Sequence, residues 1–179
     1  PDVPDLHPDY HGLSEEDMDV PFNTGSLFAP SELPLREIRA LLEETYCRSI
    51  GAEFTHITST EQKRWLQQRM EEPRGRPDYD AAKKQDILRW LTAGRHLEEY
   101  LHKKYVGQKR FSLEGGESLI PMLDAVVQRS GVSGVKEIVV GMAHRGRLNV
   151  LVNIYGKNPR TLFGEFEGKI DVGRGSGDV

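Results

Sequence analysis

The stretch KEIVVGMAHRGRLNVL, residues 136–151, decides how this chain is read. Its first part, through Ile138, Val139 and Val140 to His144, is an apolar, β-branched run of strand length and too short for a helix. After Gly146 the apolar residues change period: Leu148, Leu151, Val152 and Tyr155 recur at helical spacing, and Gly156 stands where a helix would end. Upstream, LIPMLDAVVQRSG (119–131) places Leu119, Met122, Leu123, Val126 and Val127 on a helix that Pro121 enters in its first turn and Gly131 closes. Helix, strand and helix in this order predict the opening of an α/β layer.

In open α/β sheets, ligands gather at the carboxyl ends of strands, where the next helix points free amides outward. His144, Arg145 and Arg147 sit at that end of the predicted strand, so a local site for phosphate or carboxylate is expected, with Gly146 allowing close approach. Adjacent arginines and a helix start disfavour an imidazolium, so His144 is expected to be largely neutral near pH 7 and able to donate to a carbonyl or carboxylate. Spacing alone also allows a structural histidine, and arginines paired with an acid such as Glu137. The loop KRFSLEGGE (109–117) repeats the theme. Arg110 is a permanent cation beside Phe111, read either as a phosphate contact with an apolar wall or as an Arg110–Glu114 pair beside a core phenylalanine.

The rest of the chain is helical and chemically quiet. Residues 1–33 are rich in Pro, Asp and Gly and read as an irregular arm. From 34 to 106 a helical region follows: Leu35, Ile38, Leu42 and Tyr46 mark one amphipathic face, with Cys47 expected as a small buried residue. Ser59, with Gln62 three residues on, predicts a capped start, and Pro73 a stop. Ile87, Leu88, Leu91, Leu97, Tyr100 and Leu101 predict a long helix with Gly94 as a joint and Gly107 as a terminator. Asn158 and Pro159 predict one more helix start.

Composition narrows the function. With 24 Lys+Arg against 28 Asp+Glu among 179 residues, the net charge of -4 lacks the basic excess of a nucleic-acid binder. The single cysteine excludes an intrachain disulfide and a cysteine-cluster zinc site, and the six histidines show no metal-ligand spacing. No apolar run reaches the ~20 residues of a membrane span. GRGSG (173–177) lacks the flanking strand and helix of a dinucleotide fingerprint. No internal repeat and no G-x-S-x-G elbow occurs. A start without methionine and a glycine-rich finish read as cuts, so a piece of a larger protein is expected.

Four stretches, FNTGSLFA, IGAEFTHITSTEQKRWLQQRME, KRFSLEGGESLIPMLDAVV and GMAHRGRLNVLVNIYGKNPRTLFGEFEGK, resemble in order and separation the E1 component of the 2-oxoglutarate dehydrogenase complex, from about residue 9 onward. That resemblance implies a thiamine diphosphate enzyme that decarboxylates 2-oxoglutarate and passes the succinyl group to the lipoyl arm of E2. It implies a homodimer in the bacterial cytoplasm, the mitochondrial matrix being the alternative. By the same resemblance, His144 is the active-site histidine at the substrate, Phe111 an aromatic of that pocket and Arg110 a contact to thiamine diphosphate. Arg145, Arg147 and Asn149 share the motif without an assigned role. The fold class implied is α/β: a helical N-terminal region followed by the start, in residues 107–179, of a thiamine diphosphate-binding three-layer α/β domain, truncated. The family's GDG magnesium motif is not completed, since Gly177-Asp178 meets Val179, so no metal ligand is assigned. Most residues for thiamine diphosphate and Mg2+ are expected beyond residue 179, leaving this piece without turnover. A 2-oxoadipate-acting relative and a non-catalytic helical interaction module are the alternative readings.

Overall fold

The computed structural model describes residues 4–169. Between Asp78 and Tyr79 the chain divides into two compact units. GRGSG and the Gly177-Asp178-Val179 end lie outside the described residues.

The first unit opens with three short 3-10 turns, Pro4–Leu6, Pro8–His11 and Glu15–Asp17. Strands β1 (Pro21–Asn23) and β2 (Glu32–Pro34) pair antiparallel, Phe22 opposite Leu33. Helix α1 (Leu35–Tyr46) follows directly, and α2 (Thr60–Glu71) starts where Ser59 Oγ accepts from the Gln62 amide at 3.4 Å. On α1 the buried residues are Leu41 and Thr45; of the expected face Leu35, Ile38 and Tyr46 are half-buried, whereas Leu42 is exposed. Cys47 is exposed at the end of α1, not buried as expected; the helix stops at Tyr46 and nothing packs over the thiol. The α1–α2 join is polar. Glu71, buried, accepts from Tyr46 Oη at 2.7 Å, from the Phe28 amide at 2.7 Å and from Gln67 Nε2 at 2.8 Å. Burial, reinforced by that carboxylate, pushes the Tyr46 phenol well above its ordinary range.

The second unit is built on α3 (Ala81–Lys104), whose start Asp80 caps by accepting from the Lys83 amide at 2.7 Å. The helix runs through Gly94 without a joint. Glycine serves closeness there, because Ile120 and Asn149 approach within 3.4 and 3.6 Å of where a side chain would begin. Helices α4 (Leu119–Val132), α5 (Arg147–Asn153) and α6 (Pro159–Phe166) complete the unit, with Asn158 capping α6 as its sequence requires. One apolar cluster joins Leu101, Leu148 and Leu162; another joins Leu113, Ile120 and Val150. Each such buried aliphatic side chain contributes about 1.5–3 kcal/mol.

Residues 136–144 form no strand. A strand exists by sharing its amides and carbonyls with a neighbour, and among the described residues of this unit no second strand is present. Ile138, Val139, Val140 and Met142 stand in solvent, Val139 at 95% exposure. Among the described residues the chain is therefore mostly helical with one two-stranded sheet, and the expected α/β layer is not formed.

At the α3–α6 contact, Lys104 Nζ lies 5.3–5.6 Å from the ring centres of Tyr100, Tyr105 and Phe163, and 3.4 Å from Glu167. Hydrogen bonds from Lys169, Tyr105 and Lys104 hold the Glu167 carboxyl down at about 2. An unfolded glutamate takes up its proton near 4.5, so this group's contribution is complete above that pH and is lost as pH falls toward 2. Urea midpoints measured across that window will fall with acid more steeply in wild type than in Glu167→Gln; parallel curves would show that the cluster carries no linked stability.

Candidate functional site

Two loops of the second unit meet. The 109–116 loop leaves α3, and the 141–146 loop leads into α5. Gly146 donates its amide to Phe111 O at 3.0 Å, and Arg145 Nη1 donates to Ser112 O at 3.1 Å. These two bonds tie the segments edge to edge. The rings of Phe111 and His144 then lie with centroids 3.9 Å apart, tilted by 34°. Thirty-three residues of sequence separate them, so the pair is a product of folding.

The backbone at this junction is unusual on both sides. Gly146 has φ +77°, and a Cβ there would fall 2.7 Å from Leu113 Cδ1, so only glycine lets the second loop settle onto the first. Phe111 has φ +48°, a left-handed conformation that costs an ordinary L-residue roughly 1–2 kcal/mol. Such a residue persists only when its surroundings hold it.

Arg110 is nearly enclosed, its side chain 11% exposed. Nη2 donates to His102 Nδ1 at 3.2 Å. Nη1 lies 3.5 Å from Glu98 Oε2, close enough for charge attraction but too long for a good hydrogen bond, so that buried N–H has no acceptor. The Arg110–Glu114 pair, one of the two readings of this loop, gives way to this contact with Glu98. Arg145 pairs with a backbone carbonyl, and not with Glu137. Lys109 Nζ sits 5.0 Å from the centre of the Phe111 ring. Cationic side chains, then, supply the positive character of the junction. The start of α5 supplies less than expected: the amides of Gly146 and Arg147 are already bonded to Phe111 O and His144 O. His144 itself is exposed and open to a ligand.

Sequence reasoning missed Glu98 here and left Asn149 without a role. Glu98, 3% exposed, accepts from Ser112 Oγ at 2.9 Å and from Asn149 Nδ2 at 3.1 Å. Asn149, fully buried, also donates to Gly94 O at 2.8 Å and accepts from Asn153 Nδ2 at 2.7 Å. The signal for both was an interruption. Gly94, Glu98 and Leu101 share one face of α3 at i, i+4 and i+7, and Asn149 interrupts the apolar run Leu148–Val152. A polar residue on a buried stripe calls for partners.

No protein-family model matches the chain. Curated relatives do: the chain is 58% identical over 176 residues to the 2-oxoglutarate dehydrogenase E1 component of Azotobacter vinelandii, with 98% of this chain covered. It is 53% identical over 180 residues to that of Cupriavidus necator, and 45% over 178 residues to that of Haemophilus influenzae, with 100% and 99% covered. This chain is homologous to one segment of the 2-oxoglutarate dehydrogenase E1 component. It spans 19% of the length of each of these three E1 relatives. Among the described residues, no helix is long and apolar enough to cross a membrane, and no group of three or more His, Cys, Asp or Glu is placed to hold a metal ion.

Proposed function

We propose that this chain supplies part of the active site of an enzyme that oxidatively decarboxylates 2-oxoglutarate and transfers the succinyl group to the lipoyl arm of an E2 partner. The observation that carries the reading is the 3.9 Å approach of Phe111 to His144 beside Arg110 in a chain 58% identical to an E1 component. The relatives' names specify 2-oxoglutarate, which favours it over a 2-oxoadipate-acting enzyme. An exposed histidine against Phe111, in loops that carry Lys109 and Arg145, favours it over a purely helical interaction module.

His144 presents its imidazole to the substrate and orients a carboxylate or the 2-oxo group by hydrogen bonding, while Phe111 shields one face of that imidazole from water. Lys109 and Arg145 add positive charge around a dianionic substrate. The orphaned Nη1 of Arg110 fits an anionic oxygen of thiamine diphosphate, for it is a buried donor lacking an acceptor. When bound, that cofactor supplies the electron sink that makes loss of carbon dioxide feasible. Mg2+ and most cofactor contacts belong, in this reading, to the part of the protein outside this chain. That part also covers the exposed 136–142 segment and completes an α/β domain begun at residue 107, after the arm (1–33) and the helical region (34–106). The bacterial relatives support a place in the bacterial cytoplasm, and the homodimer rests on the family resemblance alone.

Substituting His144→Ala in the full-length protein tests this directly. Turnover of 2-oxoglutarate is expected to fall by about 100-fold or more, with assembly onto E2 intact. Retained turnover with lost assembly would favour the interaction module instead.

A further inference from the structure

Phe111 holds a left-handed backbone, φ +48°, without glycine's freedom to do so. Both of its chain neighbours lead to the same atom. Ser112 Oγ donates to Glu98 Oε2 at 2.9 Å, and Arg110 Nη1 lies 3.5 Å from that oxygen. The other carboxylate oxygen, Oε1, accepts from Asn149 Nδ2 at 3.1 Å. Asn149 is in turn fixed by Gly94 O and Asn153. Glu98 is thus buried, bonded through both oxygens and carried on a 24-residue helix. On its far side the loop is held by Gly146 N on Phe111 O and by Arg145 on Ser112 O.

We infer that Glu98 is a positioning residue: by accepting the Ser112 hydroxyl bond and attracting the Arg110 guanidinium by charge alone, its carboxylate holds the Phe111 ring between them against His144. Its catalytic consequence rests on the functional reading given above; its structural consequence does not. A glutamine at 98 has one oxygen for the two donors, Ser112 and Asn149, and no charge for Arg110. An alanine at 112 removes the Ser112 bond to Glu98 and, with it, the Oγ acceptor of the Glu114 amide at 3.1 Å.

Three variants of the full-length protein decide the matter: Glu98→Gln, Ser112→Ala and His144→Ala. With the histidines isotope-labelled and His144 assigned by its own variant, the ring current of Phe111 displaces the His144 imidazole signals upfield in wild type. In Glu98→Gln and Ser112→Ala that displacement is expected to shrink, and kcat/KM for 2-oxoglutarate to fall by about 10–100-fold, in protein that melts cooperatively. Ser112→Thr, which keeps the hydroxyl, is expected to restore both. A glutamate serving stability alone would lower the melting temperature yet leave the imidazole signals and the kcat/KM of the folded enzyme unchanged, and that result overturns the inference. If Glu98→Gln does not fold, Ser112→Ala decides by the same two readouts. Full turnover in His144→Ala would sink the functional reading while the imidazole displacement still judges Glu98.

Discussion

Gly146→Ala is expected to lower the stability of the second unit by about 3 kcal/mol, combining backbone strain with overpacking. The glycine has φ +77°, where an L side chain costs roughly 1–2 kcal/mol. The new methyl would also sit 2.7 Å from Leu113 Cδ1. Leu113 is 6% exposed and packed with Ile120 and Val150, so it cannot swing aside without opening that cluster, a further cost of about 1–3 kcal/mol. Gly115→Ala is the matched control, since Gly115 has φ +85° and nothing within 4 Å of its missing Cβ. Urea unfolding should show the control losing only the backbone share, about 1 kcal/mol. Equal losses at 115 and 146 would mean that Leu113 yields freely and that the loops are not tightly seated.

In the first unit the largest loss is expected from Glu71→Ala. Its carboxylate is the common acceptor for the Phe28 amide, the Tyr46 hydroxyl and the Gln67 amide, drawn from the loop before β2, from α1 and from α2. Each donor left without an acceptor costs about 1–3 kcal/mol, and because the three share one site the losses do not add fully, so about 3 kcal/mol in total is expected. Glu71→Gln keeps one acceptor oxygen and should lose less. A fall below about 1 kcal/mol in Glu71→Ala, measured by denaturant titration, would mean that water reaches the stranded donors.

How much of this was legible beforehand depended on the range of the forces involved. Helices α1 to α6 announce themselves because amphipathic spacing and capping residues such as Ser59 and Asn158 act within a few residues. The 136–144 run failed for the complementary reason: a strand is a property of a pair, and β-branched residues state a preference without supplying the partner. The site was half legible. Arg110, Phe111 and His144 were singled out through residue type and family resemblance, but no local rule could bring residue 111 to residue 144. Glu98 was hidden in a helix that looked inert, since an acid at one position of an apolar stripe is visible only once the stripe's inward side is known. One position of the α1 face was misjudged in the same way: with Leu41 and Leu42 adjacent, periodicity alone did not choose between them.

Helix α3 has a consequence for motion. At ~1.5 Å per residue its 24 residues make a rod about 36 Å long, stiff along its axis. Glu98 rides on that rod, and through Ser112 so does the Phe111 backbone. Through the Glu98 and Ser112 side chains, a small axial slide of the rod would therefore be passed to the Phe111 backbone and shift its ring relative to the His144 imidazole.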